Sequence, residues 1–173
     1  DVDFVVPQTR SIAASMLLYK KDATKPRTLV VSLIPTAEGD PLLLQYGRVP
    51  TEARQVVLSD TAARKLNVKA GQDIIGKVGR SVAGAKEQAM VNLRVIDVLP
   101  HEAFVREAAF VRLELLEATE DYRDGRGSEA FGWPGSKRPP GSRVYPSFRL
   151  YARSIYDVSE LRNLLLDQGL EVY

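Results

Sequence analysis

The sequence predicts an α+β fold, in which a mixed α/β lobe with a terminal β-α-β unit carries an inserted small β-barrel-like lobe. Three patterns support this fold class. In residues 148–173 the hydrophobic pattern is first that of a strand, then of a helix and then of a strand again. Residues 56–78 have the pattern of a strand, a short helix, a turn and a strand. Residues 91–99 alternate as one long strand.

The C-terminal stretch predicts a β-α-β unit. A half-buried strand is expected over 148–152, and Asp157 followed by Glu160 is typical of a capping box at a helix start. Gly169 lies where a helix C-cap favours positive φ. The period-two pattern then restarts at Leu170 and has only begun at the last residue. Because the sequence also lacks an initiator methionine, we expect it to be a piece of a longer polypeptide.

The middle of the chain predicts a barrel closed at one end by a short helix. A strand over 56–58 leads to Ser59, a candidate N-cap, and to a helix of about two turns. Asn67 can end that helix in the left-handed region, and a strand follows over 73–78. The stretch 80–89 reads as a hairpin connection.

The residues after this hairpin are predicted to alternate between two faces of a strand. Its two faces are Val91, Leu93, Val95, Asp97 and Leu99 on one side, and Arg94, Ile96 and Val98 on the other. A helix is predicted over 112–124. Near the N-terminus, strands are expected over 3–18, broken near Pro7, and over 27–34. The sequence shows no internal repeat.

Composition excludes several classes of protein. The 173 residues include 45% hydrophobic residues, and the mean hydropathy is -0.16, as in ordinary globular proteins. The net charge of +2 is too small to argue for a nucleic-acid partner. Cysteine is absent, so disulfides, thiolate metal sites and a cysteine nucleophile are excluded. No apolar run is long enough to predict a membrane span.

Two apparent catalytic motifs lack their required context. The stretch Gly71 to Val78 nearly matches a phosphate-binding loop, but Val78 replaces the hydroxyl that would hold Mg²⁺, and the stretch is strand-like. His101 is the only histidine, and the second histidine of a His-Glu-x-x-His zinc site is replaced by Val105. We therefore expect no enzyme activity, no cofactor and no metal.

An acidic stripe runs along the predicted helix 112–124. It consists of Glu114, Glu117, Asp121 and Asp124, whose spacings place them on one helical face. Such oxygen ligands could attract Ca²⁺, but calcium sites usually take their ligands from a tight loop. We therefore interpret the stripe as a solvated helix face.

Residues 125–146 form the candidate contact loop. This segment holds five of the 12 glycines, four of the prolines and the only tryptophan. Exposed Trp and Arg are enriched where proteins meet partners, so the candidate partner-contact residues are Trp133, Arg126, Lys137, Arg138 and Arg143. The alternative is that Trp133 folds back to cap an edge of the core.

Three stretches together resemble a known family. They are "PTAEGDPLL", "VVLSDTAARKLNVKAGQDIIGKVGR" and "YPSFRLYARSIYDVSELRNLLLDQGLEVY". They are similar to the extracytoplasmic, periplasmic domain of FtsX-like and MacB-like permease subunits of ABC transporters. The shared pattern is a strand ending in Leu58-Ser59, an Ala-rich helix and a Gly71-x-Asp73 turn before a barrel-like strand. The same pattern recurs in unrelated small barrels, including double-psi barrels.

The resemblance implies a two-lobed domain between two membrane helices. It places residues 1–47 with 143–173 in a membrane-proximal lobe and residues 48–142 in an inserted β-rich lobe. The implied function is mechanical and non-catalytic: a cytoplasmic ABC ATPase subunit hydrolyses ATP, and the permease, a homodimer in the inner membrane, carries the movement outside. The implied outer partner is a periplasmic protein or peptide.

Two other interpretations remain open. Residues 56–99 alone fit a free-standing β-barrel module that binds a ligand or peptide, and such a module predicts that a fragment near 48–142 folds by itself. A hydrolase built on His101 and nearby carboxylates is the third possibility.

Overall fold

The computed structural model describes residues 2–173 and has an α+β architecture: a closed barrel, a separate two-stranded sheet and flanking helices. The elements in chain order are β1 (Val2–Gln8), β2 (Ser15–Lys20), β3 (Thr28–Thr36), α1 (Pro41–Tyr46), β4 (Gln55–Ser59), α2 (Asp60–Leu66), β5 (Asp73–Val82), β6 (Ala85–Leu99), β7 (Ala108–Arg112), α3 (Leu113–Arg123), β8 (Ser147–Ala152) and α4 (Val158–Asp167). The α+β class and the small barrel predicted from the sequence are confirmed.

Six strands close the barrel in the order β2, β3, β7, β4, β6, β5. The β5–β6 hairpin turns at Ala83 and Gly84, which both have positive φ (48° and 81°), as a tight two-residue hairpin requires. Alternate strand residues fill the interior, and the core includes Leu18, Leu58 and Leu93. A second cluster around Phe110 packs outside the barrel, beneath α1.

The barrel contains a topological repeat that the sequence did not reveal. The order β2–β3–β4–α2 recurs as β5–β6–β7–α3, with each half beginning in an antiparallel hairpin. The third strand of each half pairs in parallel with the second strand of the other half. The two halves match in strand direction and order, while their side chains differ: Ser59 caps α2, whereas the equivalent Arg112 makes no capping bond to α3.

The terminal sheet is formed by β1 and β8, which lie at opposite ends of the chain and pair antiparallel, from Val2 opposite Ala152 to Gln8 opposite Ser147. Phe4 and Val6 of β1 are buried on the side of β3 and α3. In contrast, α4 has no buried residue. The terminal sheet is therefore attached to the barrel, whereas α4 is largely exposed.

The terminal elements differ in detail from the prediction. Gly169 has a φ of 79°, as predicted. The helical segment begins at Ser154, whose side chain accepts a hydrogen bond from the Tyr156 amide, while Asp157 makes no side-chain cap. The expected capping box is therefore wrong, and residues 170–173 form no strand.

The barrel also takes strands from outside the range predicted for it. Residues 15–36, placed in the first lobe with 1–47 and 143–173, supply β2 and β3, while 48–142 holds the other four barrel strands. These two strands pair with β5 and β7 across a long sequence separation. Such pairings leave no local signal in the sequence.

Candidate functional site

The predicted contact loop folds back onto the barrel. Trp133 is only 5% exposed, and its Nε1 donates a hydrogen bond of 2.9 Å to the Met90 carbonyl oxygen. Its ring contacts Tyr122 edge-to-face at 5.7 Å and lies 5.2 Å from the ring of Phe131. Of the two alternatives for Trp133, the structure therefore shows the one in which it caps an edge of the core.

Three of the loop arginines converge on one carboxylate. Asp121 is 9% exposed, and its Oδ1 lies 2.8 Å from Arg138 Nη1 and 3.6 Å from Arg126 Nη1. Its Oδ2 lies 2.6 Å from Arg143 Nη2. These guanidinium groups are engaged within the chain, whereas Lys137 is exposed. The contact role of the loop stays a prediction.

Arg143 of the loop and Arg10 near the N-terminus cover three of the four carboxylates in the acidic stripe of α3. Arg143 lies 3.7 Å from Glu117 and 2.6 Å from Asp121, and Arg10 pairs with Asp124 at 2.6 Å. Both arginines also pair with Glu120, which lies beside the stripe. Hydrogen bonds to Asp124 and Glu120 raise the pKa of Arg10. The expectation of a solvated face is wrong for this part of the helix. A calcium ion would have to displace guanidinium groups that already neutralise these carboxylates.

Tyr145 fastens the end of the loop to α3. Its hydroxyl donates a hydrogen bond to Glu117. Burial, and then this carboxylate, raise the pKa of Tyr145 to about 12. Two backbone segments of the loop pack closely at Gly135, where no larger residue fits. A Cβ there would lie 2.3 Å from the Arg126 carbonyl carbon. The loop is thus an ordered segment that ion pairs, hydrogen bonds and aromatic packing join to α3.

The apparent catalytic motifs lie apart from one another. Residues 73–78 fall within β5, so the stretch that resembles a phosphate loop is a strand, as predicted. His101 is exposed in the turn after β6, and no hydrogen bond or ion pair joins it to another side chain in residues 2–173. Over the same range no three His, Asp or Glu side chains are grouped to hold a metal ion.

A cleft of about 490 Å³ lies between the barrel and the terminal sheet. Its walls come from the end of β1, from β3, from β8 and from the loop that precedes β7. Apolar groups such as Ile34, Leu42 and Phe104 line one part, while Thr9, Ser147 and Arg149 line another. Clefts that bind small molecules usually combine these two kinds of surface.

Arg149 organises the polar part of this cleft. It forms an ion pair with Asp40, which is fully buried and also accepts a hydrogen bond of 2.7 Å from Thr36 Oγ1. The guanidinium carbon lies 5.4 Å from the ring centre of Tyr151 and 5.5 Å from that of Phe4. Burial raises the pKa of Tyr151.

Two buried polar atoms at the cleft lack a partner. They are Oγ1 of Thr9, a residue that is 3% exposed, and Nε of Arg149. Sequence reasoning missed both residues, together with Asp40. Only Asp40 carried a signal, since an Asp before Pro41 is typical of a helix N-terminus. Its burial and its partner across the fold could not be seen locally.

Comparison with protein-family models and with curated proteins finds no match for this chain. Among residues 2–173, no helix has the length and apolar character needed to cross a bilayer.

Proposed function

We propose that this chain is the extracytoplasmic domain of an FtsX-like or MacB-like ABC transporter permease. In this proposal the domain is non-catalytic and lies on the periplasmic side of the inner membrane. It passes movement from the cytoplasmic ATPase, through the membrane part of a permease homodimer, to a protein or peptide outside. The three sequence stretches that resemble this family motivate the proposal.

The pairing of β1 with β8 is the observation that carries the proposal. Because Val2 lies opposite Ala152, the polypeptide enters and leaves the body of the domain at neighbouring positions in one sheet. A domain placed between two membrane helices needs this arrangement, since both connections must return to the same bilayer surface. The barrel is then an insertion supported on this sheet.

The junction between sheet and barrel suits the transmission of force. Arg149 in the sheet pairs with the fully buried Asp40 next to the barrel, and Phe4 is buried beside them. Close-packed groups of this kind move together rather than absorbing displacement. A pull on the terminal sheet would therefore move the barrel and the loop 125–146 with it.

Site-directed labelling in cells tests this proposal. Residues 1–173 contain no cysteine, so Lys137→Cys introduces one exposed thiol into this domain. The full-length protein without this substitution is the control for labelling at any cysteine elsewhere. We expect a membrane-impermeant maleimide to label the introduced thiol in cells with a permeabilised outer membrane and an intact inner membrane. The full-length gene should also encode an apolar helix of about 20 residues on each side of this segment. Labelling only after lysis, or a gene without such helices, would refute the proposal.

A ligand-binding barrel module is the second candidate, and the cleft beside Arg149 favours it. This alternative needs no membrane helices. It predicts saturable binding of a small molecule or peptide by the isolated chain, and a full-length gene without an apolar helix on each side of this segment. The flanking helices therefore distinguish the two candidates.

A further inference from the structure

We propose that the cleft between the barrel and the terminal sheet binds a small amphipathic monocarboxylate, with its carboxylate at Thr9 and Arg149 and its apolar body against Phe104. The proposal does not depend on the transporter assignment. It concerns the roughly 490 Å³ space between β1, β3, β8 and the loop before β7.

The unpartnered donors define the polar end of the site. Thr9 Oγ1 and Arg149 Nε are buried without a hydrogen-bond partner, and both residues line the same cleft. Leaving a buried donor unpaired costs free energy, which a ligand oxygen would recover by accepting its hydrogen bond. Two such donors at one cleft suit a group with two acceptor oxygens, such as a carboxylate.

The charge balance selects a monoanion. At the cleft, Arg149 is neutralised by Asp40, and Glu107 is neutralised by Lys65. Arg106 lines the same cleft, and in residues 2–173 no carboxylate lies within ion-pair distance of its guanidinium group. One positive charge is therefore left over. A carboxylate matches it, whereas a phosphate monoester would bring a charge of about -1.5 to -2 at neutral pH.

The apolar wall selects the rest of the ligand. Ile34, Leu42 and Phe104 face the space, and Phe104 is held edge-to-face against Phe110 at 5.3 Å. The volume lies in the lower half of the usual range for ligand clefts, about 300–1,000 Å³. A short alkyl or aryl chain fits this space, but a folded protein segment does not.

Calorimetric titration of the whole chain with octanoate, 1-octanol and octylammonium tests the site. We expect saturable octanoate binding with a Kd below about 1 mM. We expect 1-octanol to bind about tenfold more weakly, because it lacks the charge-assisted hydrogen bonds. Octylammonium should show no saturable binding.

Two variants locate the binding in the cleft. Thr9→Val removes the hydroxyl at nearly constant volume and should weaken octanoate binding about tenfold. Arg106→Gln removes the exposed unpaired charge and should weaken it about threefold. Arg153→Gln, an exposed arginine beyond the cleft, should leave binding unchanged. Circular dichroism checks that each variant is folded, and the exposed position of Arg106 keeps the test valid if Thr9→Val does not fold.

Three results would overturn the proposal. They are no saturable heat with octanoate up to about 10 mM, equal affinity for octanoate and 1-octanol, or octanoate binding that is unchanged in Arg106→Gln or in a folded Thr9→Val. The last result would show that octanoate binds elsewhere on the surface.

Discussion

Arg149, near the middle of β8, pairs with Asp40, a fully buried carboxylate at the N-terminus of α1. Asp40 also accepts hydrogen bonds from Thr36 Oγ1 and, at 3.1 Å, from the Leu42 amide. One carboxylate thereby joins the terminal sheet, the end of β3 and the start of α1. This junction connects the two parts of the molecule.

Removing one partner of this ion pair should be strongly destabilising. We expect Arg149→Met to lower the free energy of unfolding by about 3–5 kcal/mol, because it leaves the Asp40 charge buried without its partner. Adding Asp40→Asn should recover part of this loss. The measurement is urea denaturation of the two single variants and the double variant.

Arg153→Met, at an exposed arginine four residues further along, is the control for this cycle and should change stability by less than about 0.5 kcal/mol. Additive effects of Arg149→Met and Asp40→Asn would contradict the prediction, since they would show that the two groups do not interact.

Ser59 connects two elements through one oxygen atom. Its Oγ accepts from the Ala62 amide at 3.3 Å and from the Ala108 amide at 3.0 Å, and the residue has no exposed surface. Ser59→Ala would leave two buried amides unpaired, so we expect a loss of about 2 kcal/mol. Thermal or urea unfolding measures it.

Ser154→Ala is the matched control for Ser59→Ala. Ser154 also caps a helical turn, accepting from the Tyr156 amide at 3.2 Å, but in an exposed part of the chain. Its loss should cost about 0.5 kcal/mol. Equal effects of the two substitutions would mean that the second bond of Ser59, to β7, contributes nothing to stability.

Trp133 should behave as a core residue. Because it packs on Tyr122 and Phe131, we expect Trp133→Ala to lower the free energy of unfolding by about 3–5 kcal/mol. Tryptophan emission of the folded protein should lie at shorter wavelength than that of the unfolded chain. Lys137→Ala, in the same loop but exposed, should change stability by less than about 0.5 kcal/mol. A mild effect of Trp133→Ala would restore the interpretation of Trp133 as a free contact residue.

The sequence predicted the structure correctly at positions where residues close together in the chain determine the conformation, such as the ends of helices. Ser59 caps α2 and Asn67 ends it in the left-handed region (φ 55°, ψ 49°), as predicted. Gly169 likewise has positive φ. Each of these features involves residues within one helical turn, so the chemistry of a single side chain or of glycine decides them.

Features that depend on distant partners could not be predicted. In β6 the alternation fails after Val95, because a bulge places Val57 opposite Asp97 rather than Ile96. Val98 therefore packs towards the barrel core, although Asp97 and Leu99 were expected on that face. The prediction that the acidic stripe is solvated failed for the same reason, since several of its partners lie in a loop with no regular pattern. No pattern in the sequence indicated that the hydroxyl of Thr9 would be buried without a hydrogen-bond partner.

Barrel membership of β2 and β3 predicts which fragments fold. A fragment over 48–142 lacks these two strands, so β5 and β7 each lose a neighbour, and we expect no cooperative unfolding. A fragment over 10–146 keeps all six barrel strands. With Asp40→Asn, which removes the charge that Arg149 would otherwise neutralise, it should fold and unfold cooperatively.

Circular dichroism and tryptophan fluorescence during urea unfolding distinguish these fragments. Cooperative folding of 48–142 would contradict the barrel topology. Failure of 10–146 to fold, with Asp40→Asn present, would show that the terminal sheet is an obligatory part of the core and not a separate support.

Tyr145 should make stability depend on pH only in strong alkali. Its pKa is raised to about 12 in the folded protein, by burial and by the Glu117 carboxylate. An unfolded tyrosine ionises near pH 10. The stabilisation that the protonated hydroxyl provides is therefore fully present below about pH 10 and is lost as pH rises towards 12. Above that pH a phenolate would face the Glu117 carboxylate and repel it.

Comparison with Tyr145→Phe isolates this contribution from other groups that ionise in alkali. At pH 7–9 the wild-type protein should be more stable than the variant by a constant amount, about 1 kcal/mol for the hydrogen bond to Glu117. Between pH 10 and 12 this difference should shrink, because the variant has no hydroxyl to ionise. Tyr156→Phe, at a ring that is 90% exposed, is the control and should follow the wild-type curve throughout. A difference between wild type and Tyr145→Phe that stays constant to pH 12 would contradict the raised pKa and the bond that holds the loop to α3.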